Sequence, residues 1–169
     1  MGYSITIASL MDEEFVYKKY SNLLLDQIKM KVLEMTKPSN QFMEITRLYT
    51  ELIVISAVFL AFRVGMTRGK TNTLLGEGDS SELLQSIRSH GNLMETAPIA
   101  LILLLLLEMQ GVADWKLHLI GSSFFLFRIL HAYGITISRE STPYRVVGAL
   151  GSWVLMLGMS GYGLYVYLS

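Results

Sequence analysis

Four apolar runs, each close to the length of a bilayer crossing, constrain this chain more than any other feature. They occupy residues 48–64, with LIVISAVFLAF at the centre; 83–109, ending in IALILLLLL; 117–137, containing LIGSSFFLF; and 146–168, VVGALGSWVLMLGMSGYGLYVYL. A spanning helix needs roughly 20 mostly apolar residues, and each run comes close once its polar ends are counted. One such run could be a buried soluble helix; four in 169 residues could not. Because backbone polar groups in lipid must be satisfied within the segment, the expectation is an all-α integral membrane protein, a left-handed four-helix bundle. Composition agrees, at 51% hydrophobic and 17% charged residues, a balance typical of small polytopic membrane proteins.

The connections are polar. TRGKTNTLLGEGDSSE at 67–82 is the longest, and Asp79 with Glu82 has the spacing of a capping pair that starts the second helix near Ser80. Residues 110–115 and 138–143 form tight turns, with Pro143 at a first helical position. Small residues crowd the last helix: Gly148, Gly151, Ser152, Gly158, Ser160, Gly161 and Gly163. In lipid these permit close helix approach. Tyr162, Tyr165 and Tyr167 form an interfacial belt at its end.

Residues 1–42 have another character, with five lysines, five acids, weak periodicity and a KPSN break at 37–40. They lack the basic start and apolar run of a signal peptide. With four spans, Arg63, Arg68, Lys70, Arg139 and Arg145 belong to one membrane face, and only Arg47 and Lys116 to the other from residue 43 onward. Positive-inside reasoning then puts the 67–82 and 138–143 loops in the cytoplasm. Counting the five lysines of residues 1–42 would reverse that sum. The expected organisation is therefore an extension at 1–42, either an upstream mis-start before Met43 or an appendage, and a four-span domain at 43–169.

Charge excludes several functions. Net charge is zero with no basic stripe, so nucleic acid is not a partner. Cysteine is absent, so any reacting thiol must come from outside. RVGMTRGKT at 63–71 imitates a phosphate-binding loop but has three residues, not four, between Gly65 and Gly69, and it follows a membrane helix. His90 projects away from Glu95, which leaves no metal-ligand set with His131.

The informative polar residues lie inside the spans. In RSHGNLMETAP at 88–98, Arg88, Asn92 and Glu95 fall within roughly a 60° arc of the second helix. The third helix adds Arg128 and His131 as neighbours, the first ends in Arg63, and the fourth begins with Arg145. Charges at membrane depth persist by facing the bundle interior, pairing or lining a wet cavity. Convergence of these side chains near one face implies a pocket for a small, anionic, peptide-like ligand. The competing structural reading makes Arg88 and Glu95 a buried pair, His131 a satisfied interior histidine, and the outer arginines topology anchors. Glu51, with no evident partner, raises a third class, a small multidrug transporter.

The pattern RxHxNxxExxP, here Arg88, His90, Asn92, Glu95 and Pro98, resembles the second-helix signature of the MAPEG family, membrane-associated proteins in eicosanoid and glutathione metabolism. GEGDSSELLQSIRSHGN and FRILHAYG resemble its small bacterial inner-membrane branch, and the likeness runs over about residues 44–168. The resemblance implies a homotrimer of four-helix subunits, with glutathione as co-substrate bound between subunits near the cytosolic face. It implies Arg63, Asn92, Glu95 and His131 as glutathione-binding residues and Arg145 as the catalytic cation beside the thiolate, with Arg88 and Arg128 bridging helices. The chain departs from well-known eukaryotic members at Gly91, Ile135, Val146 and Ala149, and Tyr133 lies near a position where they have tyrosine. The expected partners are a second and third copy, membrane lipid and a small lipophilic electrophile; the expected activity is glutathione transfer or peroxidase chemistry. The alternative is a non-catalytic protein that binds a lipid or a partner.

Overall fold

The structure is a computed structural model that describes residues 7–35 and 43–168. The chain divides between residues 41 and 42 into two compact units. The first contains one helix, α1 (Ile7–Met35). Weak hydropathic periodicity concealed it, yet no glycine or proline interrupts this stretch, and Leu, Lys, Glu, Gln and Met are all good helix formers. From residue 17 to 32 nearly every side chain is exposed within the unit. The expected break at 37–40 lies outside the described residues.

The second unit is the expected helical bundle: α2 (Glu44–Thr71), α3 (Ser81–Met109), α4 (Asp114–Ile137) and α5 (Pro143–Leu168), with no strand among the described residues. All four are long and apolar enough to cross a membrane. Helices α3 and α4 form the middle pair, and α2 and α5 each pack against both. The core is assembled chiefly by α3, whose Leu93, Ala97, Ala100, Leu104 and Leu107 meet Ile53 and Leu60 of α2, Leu117 and Phe124 of α4, and Met159 of α5. Outward side chains are also apolar, for example Val54, Val58 and Phe59 on α2 and Val154 and Leu157 on α5, as a lipid-facing surface requires.

The helix ends show how the chain satisfies its terminal donors. Met43, at φ 82°, precedes α2 and offers no side-chain cap. Instead the Glu108 carboxylate, from the far end of α3, accepts from the backbone N–H of Ile45 at 2.9 Å and Thr46 at 2.8 Å. A carboxylate there also suits the positive end of the α2 dipole. Nearby, the Tyr49 hydroxyl donates to the His118 carbonyl at 3.0 Å, and Gly121 makes room for the Tyr49 ring, which a Cβ would approach to 2.2 Å. Helix α2 ends at Asn72, at φ 51°, and the Arg68 guanidinium donates to the Gly76 carbonyl at 2.8 Å, organising the loop that follows.

One cap differs from expectation. Ser80, not Asp79, caps α3: its backbone is extended and its hydroxyl accepts from Leu83 N–H at 3.2 Å. A serine one residue nearer the first turn displaces the aspartate, so Glu82 falls a position short of the reciprocal bond. Pro143 does open α5, and Pro98 sits inside α3, as transmembrane helices tolerate.

Candidate functional site

Two cavities adjoin where α3 and α5 begin and α4 ends. The outer one, about 450 Å³, is bounded by Glu77 and Asp79 of the loop before α3, the start of α3, Ser138 and Arg139 of the next turn, and Arg88 and Arg145. The inner one, about 520 Å³, is bounded by Arg88 and Asn92 of α3, Arg128 and His131 of α4, and Arg145, Ala149 and Trp153 of α5. Arg88, Ile135 and Arg145 line both. Helical spacing explains the lining, since 128, 131 and 135 on α4 and 145, 149 and 153 on α5 each recur every three or four residues.

Glycines set the distance between α4 and α5. A Cβ at Gly148 would stand 2.5 Å from the Phe127 carbonyl oxygen and 2.6 Å from His131 N, and one at Gly134 would stand 2.5 Å from Arg145 N. That approach lets His131 Nδ1 reach the Arg145 carbonyl at 2.9 Å. Thr142 completes the corner: its hydroxyl accepts from Arg145 N–H at 3.3 Å and donates to the Gly134 carbonyl at 3.4 Å. On the other wall, Arg128 Nη1 donates to Asn92 Oδ1 at 3.1 Å. Arg128 is only 4% exposed, and its Nε and Nη2 have no hydrogen-bond partner among the described residues. The guanidinium groups of Arg88, Arg139 and Arg145 likewise meet no carboxylate or other hydrogen-bond partner among the described residues. The two cavities thus hold several cations with no ion pair among the described residues, although Glu77 and Asp79 border the outer one. The lining also includes apolar side chains, Ile135, Val146, Ala149, Leu150 and Trp153. A ligand with an anionic headpiece could meet the cations while an apolar group lies against these side chains.

Of the residues singled out by sequence, Asn92, His131, Arg145, Arg88 and Arg128 come together in this one chain. Arg63 does not join them. It borders a separate groove of about 590 Å³ between α2 and α4, with Ile55, Phe59, Ile129 and Tyr133, and donates to the Thr136 hydroxyl. Glu95 is exposed, lines neither cavity and has no partner among the described residues. The buried Arg88–Glu95 pair is therefore not formed: both side chains are exposed, and no ion pair joins them. Their shared arc is real, but its members divide: Arg88 and Asn92 line the cavities, and Glu95 faces out of this subunit. Glu51 also needs correction, because Arg47, one turn earlier on α2, holds its carboxylate at 2.9 Å on the exposed surface. That pairing satisfies a charge the transporter reading needed free inside the bundle. Tyr133 sits in the Arg63 groove, edge-on to Tyr144 at 5.4 Å, rather than beside His131.

Sequence reasoning missed Trp153 and Thr142. Trp153 was legible, standing eight residues after Arg145 on the same helix face. Thr142 was not, because its role depends on how closely α4 meets α5.

A profile for the MAPEG family matches residues 46–165. The chain belongs to the MAPEG family. It is also 32% identical over 115 residues to the inner membrane protein YecN of Escherichia coli strain K12, covering 68% of this chain and 86% of that protein. The YecN of the O6:H1 strain CFT073 matches to the same extent. The matched part of this MAPEG chain contains all four spans apart from their outermost residues, together with the residues of the inner cavity. With family membership, four spans and inner-membrane relatives, it is an integral membrane protein of the inner-membrane kind.

Proposed function

We propose that the inner cavity binds glutathione or a related small acidic thiol and delivers it, as a thiolate, to lipophilic electrophiles dissolved in the bilayer. The observation that carries this reading is the grouping of Asn92, Arg128, His131 and Arg145 around one space of about 520 Å³, inside the range of small-ligand sites. Arg88 and Arg139 of the outer cavity would receive carboxylates of the tripeptide, and Glu77 and Asp79, which border the same cavity, its ammonium group. Arg145, at the junction of the cavities, is the cation beside the sulfur. A fixed positive charge lowers a thiol's pKa and stabilises the thiolate as nucleophile. The apolar side chains of Val146, Ala149 and Trp153 accept the electrophile from lipid.

In this proposal the working form is a homotrimer in a bacterial inner membrane, with the cavities facing the cytoplasm. Exposed, unpaired Glu95 on a membrane helix supports it, because such a group is expensive unless another surface covers it. A neighbouring copy would bring its Arg63 toward the Glu95 side of α3, completing a site that a single chain leaves in two parts.

A second reading, a non-catalytic lipid-binding protein, is favoured by the groove between α2 and α4: an apolar channel with Arg63 at its end, matching a lipid tail and an anionic head. Glutathione-dependent conjugation of an activated aryl halide by the purified protein separates the two. The thiol-transfer reading expects Arg145→Ala to lower turnover by about 100-fold, the usual effect of removing a group that stabilises developing negative charge. Rates for both proteins equal to the uncatalysed background would favour the lipid-binding reading.

A further inference from the structure

The hydrogen bond from His131 to Arg145 fixes more than a helix contact. A backbone carbonyl oxygen can only accept, so at 2.9 Å the Nδ1 of His131 must carry the proton. In the neutral ring, Nε2 then holds the lone pair. His131 is 6% exposed, borders the inner cavity, and its Nε2 has no partner among the described residues. The surrounding groups are Arg88 and Asn92 from α3, Arg128 from its own helix and Arg145 from α5; no α2 residue lines this cavity. None of these is a carboxylate, so among the described residues that line the inner cavity no acid competes for the role of proton acceptor; Glu77 and Asp79 border the outer cavity only. The ring is also held firmly, since Gly148 brings the α5 backbone against the His131 backbone and Cβ.

We infer that His131 Nε2 is the general base that removes the thiol proton, a catalytic role distinct from holding the peptide. The inference rests on the thiol-transfer reading above. The S–H bond breaks and its proton moves to Nε2, giving an imidazolium whose Nδ1–H still donates to Arg145 O. The sulfur lone pair forms an S–C bond at the ring carbon of an activated aryl halide, and the C–halogen bond breaks with its electron pair on the leaving halide. The imidazolium then returns its proton to water through the outer cavity. The net reaction is thiol plus aryl halide to thioether plus hydrogen halide. Arg145 contributes twice, its guanidinium beside the sulfur and its carbonyl setting the tautomer of the base.

The test is His131→Asn. The asparagine amide nitrogen superposes on Nδ1, so the bond to Arg145 O is kept while the basic nitrogen is lost. Glutathione and an activated aryl halide are the probes, used with the full-length protein in detergent. Expected is a fall in kcat of about 100-fold at neutral pH, with KM for glutathione and its dissociation constant within about threefold of wild type. The deficit should shrink as pH rises through the bound thiol's own ionisation, which Arg145 holds below the ~8.5 of a free thiol, because a base is then no longer needed. A variant whose kcat matches wild type overturns the proposal, as does a loss that is the same at every pH. His131→Gln serves as a second variant; should both lose the native melting transition, His131 is structural and the proposal falls. Wild type that neither binds glutathione nor conjugates it defeats the underlying reading instead.

Discussion

Arg128 is a cation almost entirely enclosed by the bundle, with one hydrogen bond to Asn92 and two nitrogen groups left unmatched. Such a group costs stability unless something else compensates it. Two opposite outcomes follow at this scale. Asn92→Ala removes the single partner, and thermal melts should show a loss of about 1–3 kcal/mol. Arg128→Met replaces the charge by an apolar chain of similar length, and the melting temperature should hold or rise while glutathione binding weakens. Equal destabilisation by both would mean that Arg128 is a needed structural bridge. These roles were only partly readable in advance. The arc of Arg88, Asn92 and Glu95 follows from helical geometry, but an arc gives a direction and not a neighbour. Asn92 turns toward α4 while Glu95 faces outward, a division that depends on where α4 lies. The Arg47–Glu51 pair was readable, being four residues apart on one helix, and Glu51 needed no remote partner.

Helix ends and helix spacing carry the next set of expectations. Glu108 caps α2 from 63 residues away, a contact no local pattern announces. Glu108→Ala should cost about 1–3 kcal/mol by leaving two backbone donors short, and urea or thermal unfolding in detergent reads it. At Gly121 and Gly148 an added methyl meets the Tyr49 ring and the α4 backbone, so alanine should destabilise by about 1–3 kcal/mol. Gly158, Gly161 and Gly163 have open space around the same position, and alanine there should be neutral or stabilising by up to about 1 kcal/mol. The run of small residues in α5 read as a single packing stripe in the sequence, but only its first half meets α4. Span positions were legible because length and hydropathy are local properties. Helix α1 was less so, since its residues favour a helix without marking a face.

For the whole molecule, four spans and the family follow from the sequence, whereas the separation of Arg63 from Arg145 does not. Each residue lies near a helix end on the expected membrane face, yet they border different grooves. In the proposed homotrimer a second copy brings them to one ligand. The detergent-solubilised protein should therefore run as a trimer by light scattering corrected for bound detergent, and Glu95→Ala should weaken it; a monomer that still binds glutathione would remove the intersubunit part of the account. The central claim is the ligand of the inner cavity, and direct calorimetric titration of the purified protein with glutathione tests it. The account predicts saturable binding that Arg145→Ala and Asn92→Ala each weaken at least about tenfold, equivalent to ~1.4 kcal/mol, while Arg47→Ala on the opposite membrane face leaves it unchanged. No heat of binding in the wild type, or equal affinity in all four proteins, would contradict it.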